Sequence, residues 1–421
     1  MYFLYNITVH LIGFILKGIT FFNKKIKLFV TGRKAIFKVL EAQFSKTDKI
    51  IWFHCASLGE FEQGRPIIEK IKSQKSNPKS EFYNHKILLT FFSPSGYEIR
   101  KDYALADVVC YLPLDTKKNA KKFVDLIHPE IAIFVKYEFW PNLLRELKRK
   151  EIKTILVSGI FRENQSFFKW YGGWMQKSLT AFNHFFVQNN DSKTLLNSIG
   201  FTNVTLGGDT RFDRVFDITT QEISLENIEK FKDNKPTLIA GSTWTKGEEL
   251  LVDYINTIAL ENQKFIIAPH TITTSSIDKL KKSIIKNTLL FSEIEKHKVQ
   301  DFQVLIIDSI GLLSKIYNYA DISYVGGGFG VGIHNILEPA TFGVPIIIGP
   351  NYHKFNEAKD LVNKGACMVV KDKLEFNTML TKLFSTKEIR LSKGKLASDY
   401  ILEQIGATKI IMDYIIKLFK N

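Results

Sequence analysis

From residue 50 onward the chain alternates short apolar runs with amphipathic stretches. The runs "IIWF" (50–53), "KILLTFF" (86–92), "EIAIFV" (130–135), "IKTILVS" (152–158) and "HFFVQ" (184–188) are mostly apolar without a strict alternation, as strands covered on both faces are. Between them, "EFWPNLLRELKRK" sets Leu143, Leu144 and Leu147 at helical spacing. Strand and helix in alternation predict a parallel sheet wound on both faces and ending near residue 205. A polar stretch from about Gly207 to Pro236 predicts an interdomain connection with a short helix. The rhythm restarts in "PTLIAGS", "KFIIAPH", "QVLIID", "DISYVGGG" and "VPIIIGP", a second doubly wound domain running to about residue 395. The tail "ASDYILEQIGATKIIMDYIIKLFK" predicts a long amphipathic helix that packs back across the domains. The expected boundaries are 1–30, 31–212, 213–235, 236–395 and 396–421.

The start of the chain breaks this pattern. "MYFLYNITVHLIGFILKGITFF" is almost wholly apolar, and "NKKIKLFVTGRKAIFK" after it is strongly basic. Asn6, His10, Gly13, Lys17 and Thr20 recur every three or four residues, which places them on one helix face opposite Phe, Leu, Ile and Val. No basic segment precedes the apolar stretch and no small-residue cleavage site follows, so it reads poorly as a signal peptide. It predicts a helix that lies in a membrane interface or spans it with one polar side, its lysines at an anionic surface. The alternative is a core helix packed on the first domain.

Composition narrows the partners. The 421 residues carry a formal net charge of +15, which favours an anionic partner: nucleic acid, anionic lipid or a phosphorylated substrate. Aromatic and basic residues are not interleaved as one stripe, which counts against nucleic acid. Cys55, Cys110 and Cys367 lie far apart and in no metal-ligand spacing, as reduced, buried thiols do.

Candidate chemistry gathers where strands end. "GGGFGVGIHNILEPATFGVPIIIGP" (326–350) follows a strand with a glycine-rich turn and predicts a helix start near Asn335, a place suited to a phosphate. Gly327 and Gly328 would lie against the ligand, and Glu338 would hold ribose hydroxyls. Asn335 and Glu338 also have capping-box spacing and read equally as a structural pair. Gly241 and Ser242 in "GSTW", Pro269 and His270 in "APH", and Ser309, Ile310 and Gly311 in "DSIGLL" also follow strands, where ligands of such sheets bind. In the first domain Glu60, Glu138 and Arg211 stand after strands, as two carboxylates and a guanidinium able to face one cleft. Glutamates are also common at helix starts, and position alone leaves both roles open. No P-loop is present and no Asp-x-Asp stands at a strand end, so neither ATP hydrolysis nor a metal-bridged diphosphate is favoured.

Taken with "HCASLGE" (54–60), "YLPLD" (111–115), "KYEFWPN" (136–142), "TRFD" (210–213), "GSTW" and the 326–358 block, the chain resembles the 3-deoxy-D-manno-octulosonic acid (Kdo) transferases over nearly its whole length. The resemblance implies a GT-B fold: two Rossmann-like domains facing a cleft, with an N-terminal membrane-associating helix. It implies inverting transfer of Kdo from CMP-Kdo to the lipid A precursor at the cytoplasmic face of the inner membrane, with no metal or other cofactor. Residue by residue, it makes Glu60 the general base and Glu138 and Arg211 the transition-state support. Pro269, His270, Ser309 to Gly311, and Asn335, Ile336, Leu337 and Glu338 fall on the CMP loops. Two positions depart from the pattern. The loop reads Ala268-Pro269-His270 where many relatives have an arginine before the histidine, and Arg211 replaces a lysine. The alternatives are a GT-B transferase or epimerase using a UDP-sugar, and a basic membrane-peripheral protein that binds nucleotide without turnover.

Overall fold

In the computed structural model, residues 1–420 are described, and the apolar runs become two parallel sheets. One unit comprises Met1–Asp213 with the segment from Gly406 onward; the other is Arg214–Ile405.

The first unit holds β1 (Lys49–Cys55), β2 (His85–Phe91), β3 (Val108–Tyr111), β4 (Ile131–Val135), β5 (Lys153–Gly159), β6 (His184–Val187) and β7 (Val204–Leu206). Their order is β3-β2-β1-β4-β5-β6-β7, so the winding direction reverses between β1 and β4. In β1, Ile51, Phe53 and Cys55 join a core with Phe61, Ile67 and Ile71. Ile50 and Trp52 join another with Phe123, Phe134 and Leu144. Successive side chains thus enter opposite layers, and both layers are apolar, so the strand reads as a continuous apolar run.

The second unit holds β8 (Thr237–Thr243), β9 (Lys264–Pro269), β10 (Thr288–Leu290), β11 (Val304–Ile306), β12 (Ile322–Val325), β13 (Ile346–Ile348) and β14 (Cys367–Val369). Their order is β10-β11-β9-β8-β12-β13-β14, with the reversal between β8 and β12. The carboxyl ends flanking such a reversal open the crevice in which ligands of these sheets bind.

Two expectations need correction. The 213–235 connection holds two helices, Thr210–Thr219 and Glu226–Lys232, in place of one. Ile228 and Phe231 of the latter are buried with Ile239 and Ile266, so this stretch is part of the second unit's core. The 396–421 tail is likewise not one helix. Lys387–Gln404 ends in the second unit, Gly406 takes φ +115°, and Ala407–Lys420 belongs to the first. A left-handed φ of that kind suits glycine and ends the helical run. Asp213 starts the next helix: its carboxylate accepts from the Gly406 N–H at 2.5 Å and the Thr408 N–H at 2.6 Å. Ile411, Met412 and Ile415 are then buried beside Ile51 and Phe53.

The N-terminal stretch forms two helices, Tyr2–Ile19 and Lys24–Thr31, the second capped by the Asn23 side chain. Among the described residues, only Tyr2–Ile19 is long and apolar enough to cross a membrane. Its covered positions are Tyr2, Tyr5, Asn6, Val9, Gly13, Leu16 and Ile19. The polar face read from spacing is therefore rotated: Asn6 and Gly13 are covered, whereas His10 and Lys17 are exposed. Phe3, Leu4, Ile7, Leu11 and Phe14 face outward.

Candidate active site

In the first unit, β1 ends in Cys55 and the helix Leu58–Gln74 begins after Ser57. Glu60 reaches back to the helix start. Its Oε2 accepts from the Ser57 N–H at 2.6 Å and the Ser57 hydroxyl at 2.8 Å. Glu60 therefore does cap the helix, with one oxygen. Its Oε1 makes no hydrogen bond among the described residues. Burial and the neighbouring Glu138 carboxylate push the Glu60 pKa up, against the Ser57 donors and Lys136, which pull it down.

Glu138 is held differently. The helix after it starts only at Pro141, so Glu138 is not a first-turn acid. It is buried, and its Oε2 accepts from Trp140 Nε1 at 2.7 Å and lies 3.1 Å from His54 Nε2. His54 is fully buried, and its Nδ1 meets the Thr90 hydroxyl at 2.9 Å, which also accepts from Trp52 Nε1. A polar histidine inside an apolar strand thus serves to place a carboxylate at the strand's end.

Arg211 pairs with Asp209 through Nε and Nη2, the latter at 2.8 Å, and Asp209 also accepts from Gln63 Nε2 at 3.0 Å. Burial alone would raise the Asp209 pKa; the Arg211 guanidinium outweighs it and holds the carboxyl low. Lys136, at φ +67° just past β4, draws on both Glu60 and Asp209. Glu60 and Glu138 therefore share one electrostatic neighbourhood, and Arg211 joins it through Asp209 and Lys136. His54, Lys136, Asp209 and Trp140 were not singled out from sequence. The available signal was position: each stands in or directly beside a motif at a strand end.

In the second unit the loops after β8, β9, β11 and β12 emerge on one edge, because the strands are parallel. Three rings meet there. Trp244 stacks on His270 at 4.9 Å and 15°, and His270 on His334 at 4.5 Å and 30°. Trp244 Nε1 donates to His334 Nε2 at 2.7 Å, and burial and His270 lower the His334 pKa, so His334 is a neutral acceptor. Pro269 ends β9, and the His270 N–H donates to the Thr243 carbonyl at 2.9 Å. Gly241, Ser242 and Trp244 arrive from β8. Gly241 admits the Tyr317 hydroxyl, to which a Cβ would come within 2.0 Å. Gly327 (φ +92°) turns the chain after β12, and Gly328 packs on Gly349, whose backbone nitrogen an added Cβ would meet at 2.6 Å. These glycines let chain segments approach each other.

The helix expected near Asn335 starts at Leu337 and is short, Leu337–Thr341, with Ile336 before it. Asn335 caps it, accepting from the Leu337 N–H at 3.2 Å and donating through Nδ2 to Glu338 Oε1 at 3.0 Å. The two residues thus pair side chain to side chain, with Ile336 in the N-cap position. Ser309, Ile310 and Gly311 follow β11, with Ile310 91% exposed and Gly311 at φ +96°.

A family model for 3-deoxy-D-manno-octulosonic-acid transferases matches residues 32–214. The Kdo transferase of Aquifex aeolicus is 29% identical over 364 residues, 84% of this chain and 92% of that one. Among solved structures, a putative UDP-N-acetylglucosamine 2-epimerase from Listeria monocytogenes matches with TM-score 0.59 and 11% identity, over 89% of this chain and 97% of that one. MurG from Acinetobacter baumannii matches with TM-score 0.53 and 11% identity, over 88% and 99%. At that identity the structural likeness establishes the GT-B fold alone.

Proposed function

We propose that this chain, by family a Kdo transferase, moves Kdo from CMP-Kdo to a glucosamine hydroxyl of the bisphosphorylated lipid A precursor, with Glu60 as general base. The observation that carries the reading is the divided role of Glu60: one oxygen fixes the side chain and the other is unengaged. A base needs both a fixed geometry and a pKa nearer to working pH than an ordinary carboxylate has.

In this mechanism Glu60 Oε1 takes the acceptor hydroxyl proton as that oxygen bonds to the anomeric carbon of Kdo. The bond from that carbon to the CMP phosphate breaks from the opposite side, and its electron pair leaves with CMP. Positive charge grows on the sugar ring as the bond lengthens. Glu138, held by Trp140 and His54, supplies a fixed negative charge to it. Arg211 balances the anionic groups of the donor, steadied by Asp209. In the second unit, Pro269-His270, Ser309 to Gly311 and Asn335 to Glu338 bind CMP, with Glu338 on the ribose. A monophosphate leaving group can be held by backbone N–H groups and neutral donors, so this mechanism routes no step through a metal. The outward apolar face of the N-terminal helix and the charge of +15 suit an anionic bilayer, here the cytoplasmic face of the inner membrane.

The test is transfer itself. Purified protein, with CMP-Kdo generated in situ and the lipid acceptor, should yield a product heavier by Kdo in mass spectrometry. Glu60→Gln should lower CMP release by about 10²- to 10⁴-fold, the usual contribution of a general base. Turnover of that variant near the wild-type rate would remove Glu60 from the role, and tighter binding of UDP than CMP by calorimetry would overturn the donor.

A further inference from the structure

The motifs "YLPLD" and "KYEFWPN" end in Asp115 and Asn142, which the mechanism above does not use. Both are buried, at 5% and 2% exposure. Asp115 accepts from the Asn142 and Leu143 N–H groups, each at 2.9 Å, and so caps the helix that follows Trp140. It also accepts from the Tyr5 hydroxyl at 2.7 Å. The Asn142 amide turns wholly to the same partners: Nδ2 donates to Asn6 Oδ1 at 3.0 Å and to the Asp115 carbonyl at 2.5 Å, and Oδ1 accepts from the Tyr2 hydroxyl. A second path runs beside it. The Arg33 guanidinium donates to the Phe29, Leu112 and Phe92 carbonyls and lies 3.6 Å from the Phe29 ring centre. The Phe92 ring packs tilted against Trp140, centroids 4.4 Å apart, and Trp140 donates to Glu138.

We infer that the N-terminal helices are part of the scaffold of the active site: Tyr2, Tyr5 and Asn6 are positioning residues that set the 136–142 segment, and with it Glu138, through Asp115 and Asn142. A helix that only held the protein to a bilayer would need its outward apolar face and nothing more. Here the inward face carries a satisfied buried polar network, which fixes one register and punishes every other. The two paths converge on the few residues that carry Lys136, Glu138 and Trp140. This inference rests on the reading of Glu138 as a site residue only for its effect on rate, not for the coupling itself.

The experiment compares full-length wild type with Tyr2→Phe/Tyr5→Phe/Asn6→Ala, both in detergent micelles so that membrane binding is not rate-limiting. Tyr5→Phe alone, which keeps the ring against Trp174, serves as the milder variant. Hydrogen exchange should accelerate about tenfold or more in 136–143 while β1 and the second unit stay unchanged, the mark of local opening. The kcat should fall about tenfold with the KM for CMP-Kdo unmoved, a loss in the range that misplaced groups cost. Unchanged exchange in 136–143 in both variants, or kcat within twofold of wild type, overturns the inference. Faster exchange in a protein that transfers no Kdo at all keeps the coupling and removes the proposed function.

Discussion

Glu60 shows how one carboxylate serves structure and chemistry through different oxygens. Ser57 stabilises the charged form, so Ser57→Ala should raise the Glu60 pKa further. The acidic limb of the kcat/KM profile should move to higher pH, a shift that pH-dependent rates with CMP-Kdo will show. The same pKa has a stability sign. A carboxyl whose folded pKa lies above its unfolded one binds more protons when folded, so its charge costs stability as pH rises past the unfolded value. Glu60→Gln keeps capping capacity and loses that cost. Its melting temperature should equal or exceed wild type at pH 7, with the gap closing at pH 4. At this scale motif and strand-end position singled out Glu60, Glu138 and Arg211 as candidates, and the structure shows how each is held. His54 and Asp209 were not singled out, because their roles depend on the neighbouring strands that bring Thr90, Glu138 and Gln63 to them.

The central strands of both sheets were legible because each is covered on two sides and so is mostly apolar. The outer strands β3, β7, β10 and β14 were not, being three or four residues long with some positions left uncovered. The break at Gly406 was hidden for another reason: the amphipathic pattern continues through it, and only the glycine marks the change of unit. The helix Ala407–Lys420 then acts as core. Ile411 is fully buried among Ile51, Phe53 and Ile415. Ile411→Ala should cost about 2–4 kcal/mol, the range for large-to-small changes in a packed core. Chemical denaturation followed by hydrogen exchange should place that loss in the first unit, with β8 and β12 protected as before.

Over the whole molecule, the anionic bilayer proposed as partner would meet both the excess positive charge and the outward apolar helix face. Binding to vesicles should rise with the fraction of anionic lipid and weaken with salt, since part of the attraction is screened over about 8 Å at physiological ionic strength. Replacing Phe3, Leu4 and Phe14 by serine should abolish sedimentation with vesicles while kcat in micelles holds, because these side chains face away from Asp115 and Asn142. The two-unit α/β organisation was readable from rhythm alone. The rotation of the N-terminal helix was not, since Tyr2 and Tyr5 count as apolar in a pattern and polar in a contact.

The return of the chain at Gly406 makes the second unit an insertion within the first. On the ribosome, Arg214–Ile405 emerges while the Ile51 and Phe53 layer, already packed by the helix Leu58–Gln74, still lacks the Ala407–Lys420 helix that completes its cover. The first unit is thus the one completed later, and the apolar part that Ile411, Met412 and Ile415 come to bury is the surface a chaperone would meet during synthesis.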